Sequence, residues 1–223
     1  VTAALDTQRS ECGHLFLNED ELLKAAAKLL NDGIPMNQIV SSNEINNTID
    51  DMILHGDIVS SNGKIYHTYC FAIEDAAAKK IAQILAVPPM NVDISSILEY
   101  VRKNVGITLS QRQSEAVYMA FQSNLSIITG SPGTGKTTVL KAIIEVFKSL
   151  KPDGKIMLAA PTGRASRRMA ESTGQTNAKT LHSLLGLTGE EEFDDKRQDS
   201  SELEADLIIV DESSMMDMQL AQK

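Results

Sequence analysis

Along the first 90 positions the apolar residues recur at helical spacing and then switch period. Residues 19–30 place Leu22, Leu23, Ala26, Leu29 and Leu30 on one side, with acids in the first turn, so they predict an amphipathic helix. Asn31-Asp32-Gly33 ends it, because glycine tolerates the positive φ of a helix stop. A second short helix is expected near 36–41, and a third over 43–54 with Ile45, Ile49, Met52 and Ile53 on one face and His55-Gly56 closing it. Residues 57–60 and 64–69 then read as two short strands around Ser61-Asn62-Gly63, where Asn-Gly is a strong signal for a two-residue hairpin turn. Residues 71–87 return to helical spacing and stop at Pro88-Pro89. Three helices followed by a hairpin is the order of a winged helix. The 43–54 helix that would read DNA carries Glu44, Asp50 and Asp51 but no Lys or Arg, so packing or partner binding suits it better than phosphate contact.

Residues 93–105 predict a connecting helix, and Gly106-Ile107-Thr108 leads into a region where helix and strand patterns alternate from Leu109 onward. That alternation predicts an α/β domain around a mostly parallel sheet with helices on both faces. The expected organisation is therefore a small, mainly helical, winged-helix-like domain over 1–90, a connection over 91–108, and an α/β domain over 109–223. The stretch 189–206 is acidic and nearly free of aliphatic residues, as a solvated loop between two strands would be.

The net charge of −9 argues against a nucleic-acid binder until its distribution is read. From Arg112 to Gly189 there are ten Lys/Arg against four Asp/Glu, whereas Glu190 to Glu212 holds eleven acids and two bases. Local fields govern binding more than the total does, so the acidity does not exclude DNA. With four aromatic residues per hundred and no Trp, grip on single strands mainly by stacking is disfavoured. The two cysteines, Cys12 and Cys70, imply no disulfide framework, and a reducing cytoplasm is the expected compartment. With His14 and His67 they do not match the usual spacing of a structural zinc site. No apolar run approaches the roughly 18 residues of a membrane span, so no membrane partner is expected, and the N-terminus lacks the layout of a secretory signal.

The strongest chemical signal is Gly130-Ser131-Pro132-Gly133-Thr134-Gly135-Lys136-Thr137, a full match to G-x-x-x-x-G-K-[ST]. An apolar run over 125–129 is expected to be the strand before it. A helix from Thr137 to Leu150 is expected after it, with Val139, Leu140, Ile143, Ile144 and Phe147 facing inward. Glycines let backbone N–H groups approach a polyphosphate, and the helix presents its positive end to the same anion. In this pattern Lys136 reaches the β- and γ-phosphates of ATP and Thr137 offers a hydroxyl to Mg2+, with Thr138 completing the cofactor-binding segment. Leu207–Val210 reads as an apolar strand ending in Asp211-Glu212. Asp211 would hold magnesium, and Glu212 would orient or deprotonate the attacking water. Met215, Met216 and Met218 beyond it read as core contacts. Ser110 and Gln113 have capping-box spacing; on spacing alone, Gln113 serves equally as a helix cap or as an adenine contact. A strand running into Pro161-Thr162-Gly163-Arg164 and a helix with Arg167 and Arg168 offers a nucleic-acid phosphate site at a helix start, with a solvated face as the plainer reading of the two arginines. His182, just after Thr180, opens another helix and by itself reads as capping or packing.

In this order the four elements resemble superfamily-one helicases of the RecD-like branch. LSQRQSEAV is similar to the family's Q motif, ITGSPGTGKTT to motif I, AAPTGRASRRMAE to motif Ia and LIIVDESSMMD to motif II, while residues 179–186 resemble its Thr-x-His-x-Leu-Leu stretch. Gly13-His14-x-Phe16-Leu17 and the following helices resemble the segment before the motor in the longer members that work without RecBC. The resemblance implies a RecA-like motor domain and ATP-driven 5′ to 3′ translocation on single-stranded DNA with strand separation. It assigns adenine contact to Gln113 and DNA contact to Pro161, Thr162, Gly163 and Arg164, with His182 counted among the DNA-contact candidates. It also implies subunits of a helicase–nuclease complex as partners of the full-length protein. Motifs III, V and VI and the second-domain arginine do not occur in residues 1–223, so the resemblance implies a fragment that binds nucleotide, hydrolyses it very slowly or not at all, and does not unwind DNA. A ring-forming P-loop ATPase and a non-enzymatic DNA- or partner-binding module are the alternatives.

Overall fold

The computed structural model describes residues 1–90, 93–187 and 203–223. They divide into two compact units, one of Val1–Lys79 with Asp217–Gln222, the other of Lys80–Met216 with Lys223. Among the described residues no helix is long and apolar enough to cross a membrane.

In the first unit, α1 (Thr2–Cys12), β1 (Phe16–Asn18), α2 (Glu19–Asn31), α3 (Ser42–His55), β2 (Ile58–Ser61) and β3 (Lys64–His67) follow in winged-helix order, and α4 (Thr68–Ala86) begins directly after β3. The sheet is antiparallel in the order β1-β3-β2. The starts of α2 and α3 have local causes. Asn18 and Glu21 form a capping box on α2, and Ser41 and Glu44 form one on α3, where Ser41 N donates to Glu44 Oε2 at 2.8 Å. That hydrogen bonding holds the Glu44 carboxyl below its usual range. Asn62 and Gly63 sit at φ 51° and 74°, the pair of positive values that a two-residue hairpin turn needs between Ser61 and its partner Lys64. Leu22, Ile45, Ile49, Ile58 and Ile65 form the core with Ala4, Leu5 and Leu17. Each fully buried aliphatic side chain of this kind is worth about 1.5–3 kcal/mol in transfer terms. Asp50 and Asp51 are exposed on α3.

Several expectations need correction here. The 36–41 helix is a single 3-10 turn over Met36–Gln38, too short and too exposed to bury an apolar face. Leu29 and Leu30 are 51% and 45% exposed, so α2 packs through a narrower stripe centred on Leu22 and Ala26. Tyr69 belongs to α4 rather than to a strand reaching 69, because the ladder with β2 ends at His67.

The second unit contains α5 (Ile94–Asn104), α6 (Gln111–Gln122), α7 (Lys136–Leu150), β4 (Ile156–Ala160), α8 (Gly163–Thr173), β5 (Ala178–Thr180), α9 (Leu181–Leu184) and β6 (Leu207–Val210); the short helix α10 (Met218–Gln222) is grouped with the first unit. Its strands are parallel, in the order β5-β4-β6. One core joins helices and sheet: Ile94, Val101, Val117, Phe121, Val139, Ile143, Ile144 and Phe147 pack with Leu158 of β4, Met169 of α8 and Ile209 of β6. Of the segment expected to be a solvated loop, residues 189–202 lie outside the described residues.

Asp206 fixes the entry to β6. Its carboxylate accepts from Lys151 Nζ and from Lys155 N (2.8 Å), tying β6 to the turn before β4. The Lys151 hydrogen bond first, then the Lys155 backbone N–H, hold its carboxyl below the ordinary aspartate value of 3.8. A lowered folded-state pKa contributes stability above the unfolded value and loses it as pH falls through the folded one. The Tm advantage of wild type over Asp206→Asn is therefore expected to be present at pH 7 and to shrink below about pH 4. An advantage that grows on acidification, followed by circular dichroism, would refute this.

Candidate nucleotide and nucleic-acid site

The P-loop passes from Gly130 into α7 through two residues in left-handed conformation, Gly133 at φ 81° and Gly135 at φ 86°. A side chain at either is strained. A Cβ on Gly130 would stand 2.6 Å from Thr134 Oγ1, and one on Gly135 would collide with Gln113 Nε2. These positions form a cradle that only glycine leaves open. Thr134 N and Oγ1 both donate to Ser131 O, at 3.3 and 2.8 Å, which closes the turn. Lys136 Nζ folds back over it and donates to Gly130 O (2.6 Å) and Ser131 O (3.4 Å). The first helical bond of α7 runs from Val139 N to Gly135 O, so the N–H groups of Lys136, Thr137 and Thr138 lie at the open, positive end of the helix. Pro132 is exposed at the tip of the turn. Cradle, ammonium and helix start together fit a polyphosphate.

The expected strand over 125–129 is not one. Among the described residues it joins no ladder; Ile128 packs on the core while Ile127 is 76% exposed. A strand is held by a hydrogen-bonded neighbour, and an apolar β-rich run cannot supply one by itself.

The carboxyl ends of the three strands assemble the remaining candidates. Ala160 of β4 is level with Thr180 of β5, and Ala159 is level with Val210 of β6, with Asp211 N donating to Ala159 O at 2.9 Å. The chain therefore leaves this edge at Pro161-Thr162, at Leu181-His182 and at Asp211-Glu212. Asp211 is half-buried, and its Oδ1 accepts from Glu212 N at 2.9 Å. Glu212 itself is exposed and left-handed, at φ 53°, a strained conformation for a non-glycine residue. No sequence pattern announces that strain. Asp211, just after β6, and Thr137, in the first turn of α7, carry carboxylate and hydroxyl oxygens of the kind magnesium takes. Met215, expected in the core, is 61% exposed because it ends a 3-10 turn that leaves the sheet edge.

Thr162 caps α8, its Oγ1 accepting from Ala165 N at 3.2 Å. Arg164, Arg167 and Arg168 are exposed on that helix and make no ion pair among the described residues. Thr180 caps α9 in the same way through Ser183 N (3.1 Å), with His182 half-buried in its first turn. Gln113 caps and reaches outward at once: its Oε1 accepts from Ser110 N (2.9 Å) and its Nε2 donates to Thr134 O in the P-loop (3.0 Å). Sequence spacing offered a cap or an adenine contact, not the bond to Thr134 O.

A parallel sheet flanked by helices, with a P-loop feeding a helix start and carboxylates at a strand end, is a P-loop NTPase fold. Comparison with known proteins narrows the class. A family profile described as an AAA domain matches residues 113–223. The ATP-dependent RecD2 DNA helicase of Deinococcus radiodurans is 36% identical over 160 residues, covering 70% of this chain and 21% of that protein. The RecBCD enzyme subunit RecD of Haemophilus influenzae is 38% identical over 135 residues, covering 50% of this chain and 20% of that protein. RecD of Buchnera aphidicola from Acyrthosiphon pisum is 35% identical over 150 residues, 58% of this chain and 24% of that protein. The chain belongs to the RecD-like branch of the superfamily-one helicases, a family of helicase and ATPase enzymes, and spans about a fifth to a quarter of the length of these relatives.

Proposed function

We propose that this chain is the ATP-binding and first DNA-contacting part of a helicase that moves 5′ to 3′ along single-stranded DNA. The observation that carries the reading is the glycine cradle at the start of α7 with the Lys136 ammonium folded over it. Lys136 binds the β- and γ-phosphates, and the N–H groups of Gly133 to Thr138 surround them. Thr137 and Asp211 hold Mg2+, which when bound neutralises charge developing on the transferring phosphoryl group. Glu212, next to Asp211 in the chain, orients or deprotonates the attacking water, and Gln113 contacts adenine. Pro161, Thr162, Gly163 and Arg164 at the start of α8 take a DNA phosphate, with His182 on the same edge. Residues 1–90 form an N-terminal partner or packing module, 91–108 a connection, and 109–223 the first motor domain. The protein acts in the bacterial cytoplasm on DNA in repair and recombination, alone or with the subunits of a helicase–nuclease complex.

The direction of travel is tested with the full-length protein on oligonucleotides blocked by streptavidin at one end. ATP-dependent displacement is expected from the 3′ end at a rate well above that from the 5′ end. Faster displacement from the 5′ end would reverse the proposed polarity, and displacement from neither end would remove the motor reading.

A further inference from the structure

Gln113 stands half-buried between two elements and uses both ends of its amide. Its Oε1 accepts from Ser110 N at 2.9 Å, its own N–H donates to Ser110 Oγ at 3.4 Å, and its Nε2 donates to Thr134 O at 3.0 Å. Nε2 also occupies the space that a side chain on Gly135 would need. Thr134 and Gly135 are the two residues before Lys136, and the peptide between them bears one of the N–H groups of the cradle. A hydrogen bond to the Thr134 carbonyl fixes the plane of that peptide. It therefore fixes where the Gly135 N–H points.

From this we infer that Gln113 is a positioning residue for the phosphate cradle, acting through the Thr134 carbonyl and independently of the base. The inference rests on the proposed nucleotide site. Because α6 starts with Ser110 and Gln113 locked together, the amide is held ready by the helix and little rotamer freedom is lost on bracing the loop. A contact to adenine alone would act on ATP and leave inorganic triphosphate untouched. The brace acts on both.

The test measures dissociation constants of ATP and of inorganic tripolyphosphate, each with magnesium, for wild type, Gln113→Ala and Ser110→Ala. A lost neutral hydrogen bond predicts that Gln113→Ala weakens tripolyphosphate about three- to tenfold. Ser110→Ala removes the hydroxyl half of the cap but leaves the amide on Thr134 O, so it is expected to lower Tm while keeping tripolyphosphate affinity within about twofold. Unchanged tripolyphosphate affinity in Gln113→Ala overturns the proposal, whether or not ATP binding falls. An equal loss in Ser110→Ala also overturns it, by assigning the effect to the helix cap. If wild type binds ATP but not tripolyphosphate, the cradle does not hold phosphates by itself and the proposal fails while the nucleotide site stands; if it binds neither, the nucleotide reading fails as well. Should Gln113→Ala not fold, Gln113→Met preserves the length of the side chain and removes the same hydrogen bonds.

Discussion

A polypeptide of residues 1–223 alone is expected to hydrolyse ATP about 10³–10⁵ times more slowly than the full-length protein in the presence of single-stranded DNA. Phosphoryl transfer passes through a loose transition state whose charge is spread over the equatorial oxygens, so the protein contributes mainly position and countercharge. Residues 1–223 supply Lys136 over the P-loop and Asp211 and Glu212 at the end of β6. They do not contain the second-domain arginine that the family resemblance implies, and an arginine of that kind is worth about 10³–10⁵ in rate in related P-loop enzymes. Nucleotide binding is expected to persist, because the cradle is complete within Gly130–Thr138. A phosphate-release assay on both proteins at matched nucleotide saturation decides it. Turnover by 1–223 within about tenfold of the full-length rate would mean that the transition state is stabilised by groups inside this stretch, with Arg164, Arg167 and Arg168 the first to be replaced.

Where a structural element is specified by its own residues, it was legible in the sequence. The Asn62-Gly63 turn has its two positive φ values, and the Ser110–Gln113 capping box is formed. Elements specified by distant partners were not legible. Phe16–Asn18 is a strand only because it pairs with Lys64–Tyr66, and three residues are too few to show a period. Ala178–Thr180 is likewise created by its ladder with β4. The 125–129 run shows the converse, an apolar β-rich sequence with no ladder among the described residues. Residue type and spacing point to Lys136, Asp211 and Thr162, which lie over the P-loop turn, at the end of β6 and at the start of α8. The left-handed backbone of Glu212 and the reach of Gln113 to Thr134 depend on three-dimensional proximity that no linear spacing encodes. Both surprises therefore fall where loops meet, and both concern orientation rather than identity.

Lys136→Ala is expected to weaken ATP binding about 10- to 150-fold without unfolding the protein. The magnitude follows from losing a hydrogen bond to a charged group, worth about 1.5–3 kcal/mol. The fold is expected to survive because α7 is anchored by Val139, Ala142, Ile143, Ile144, Val146 and Phe147, all buried, whereas Lys136 is only half-buried at its first position. The substitution also removes the bonds from Nζ to Gly130 O and Ser131 O, so part of the loss comes from a loosened turn. Lys136→Met deletes the ammonium, and with it both of those contributions, but keeps most of the aliphatic stem over the loop, so it isolates what the stem itself contributes. If countercharge dominates, both variants lose affinity to a similar extent; if packing of the stem dominates, methionine restores most of it. Isothermal titration with ATP and magnesium distinguishes these outcomes. Binding equal to wild type in both variants would show that the P-loop is structural here, and would favour a partner-binding module over a motor.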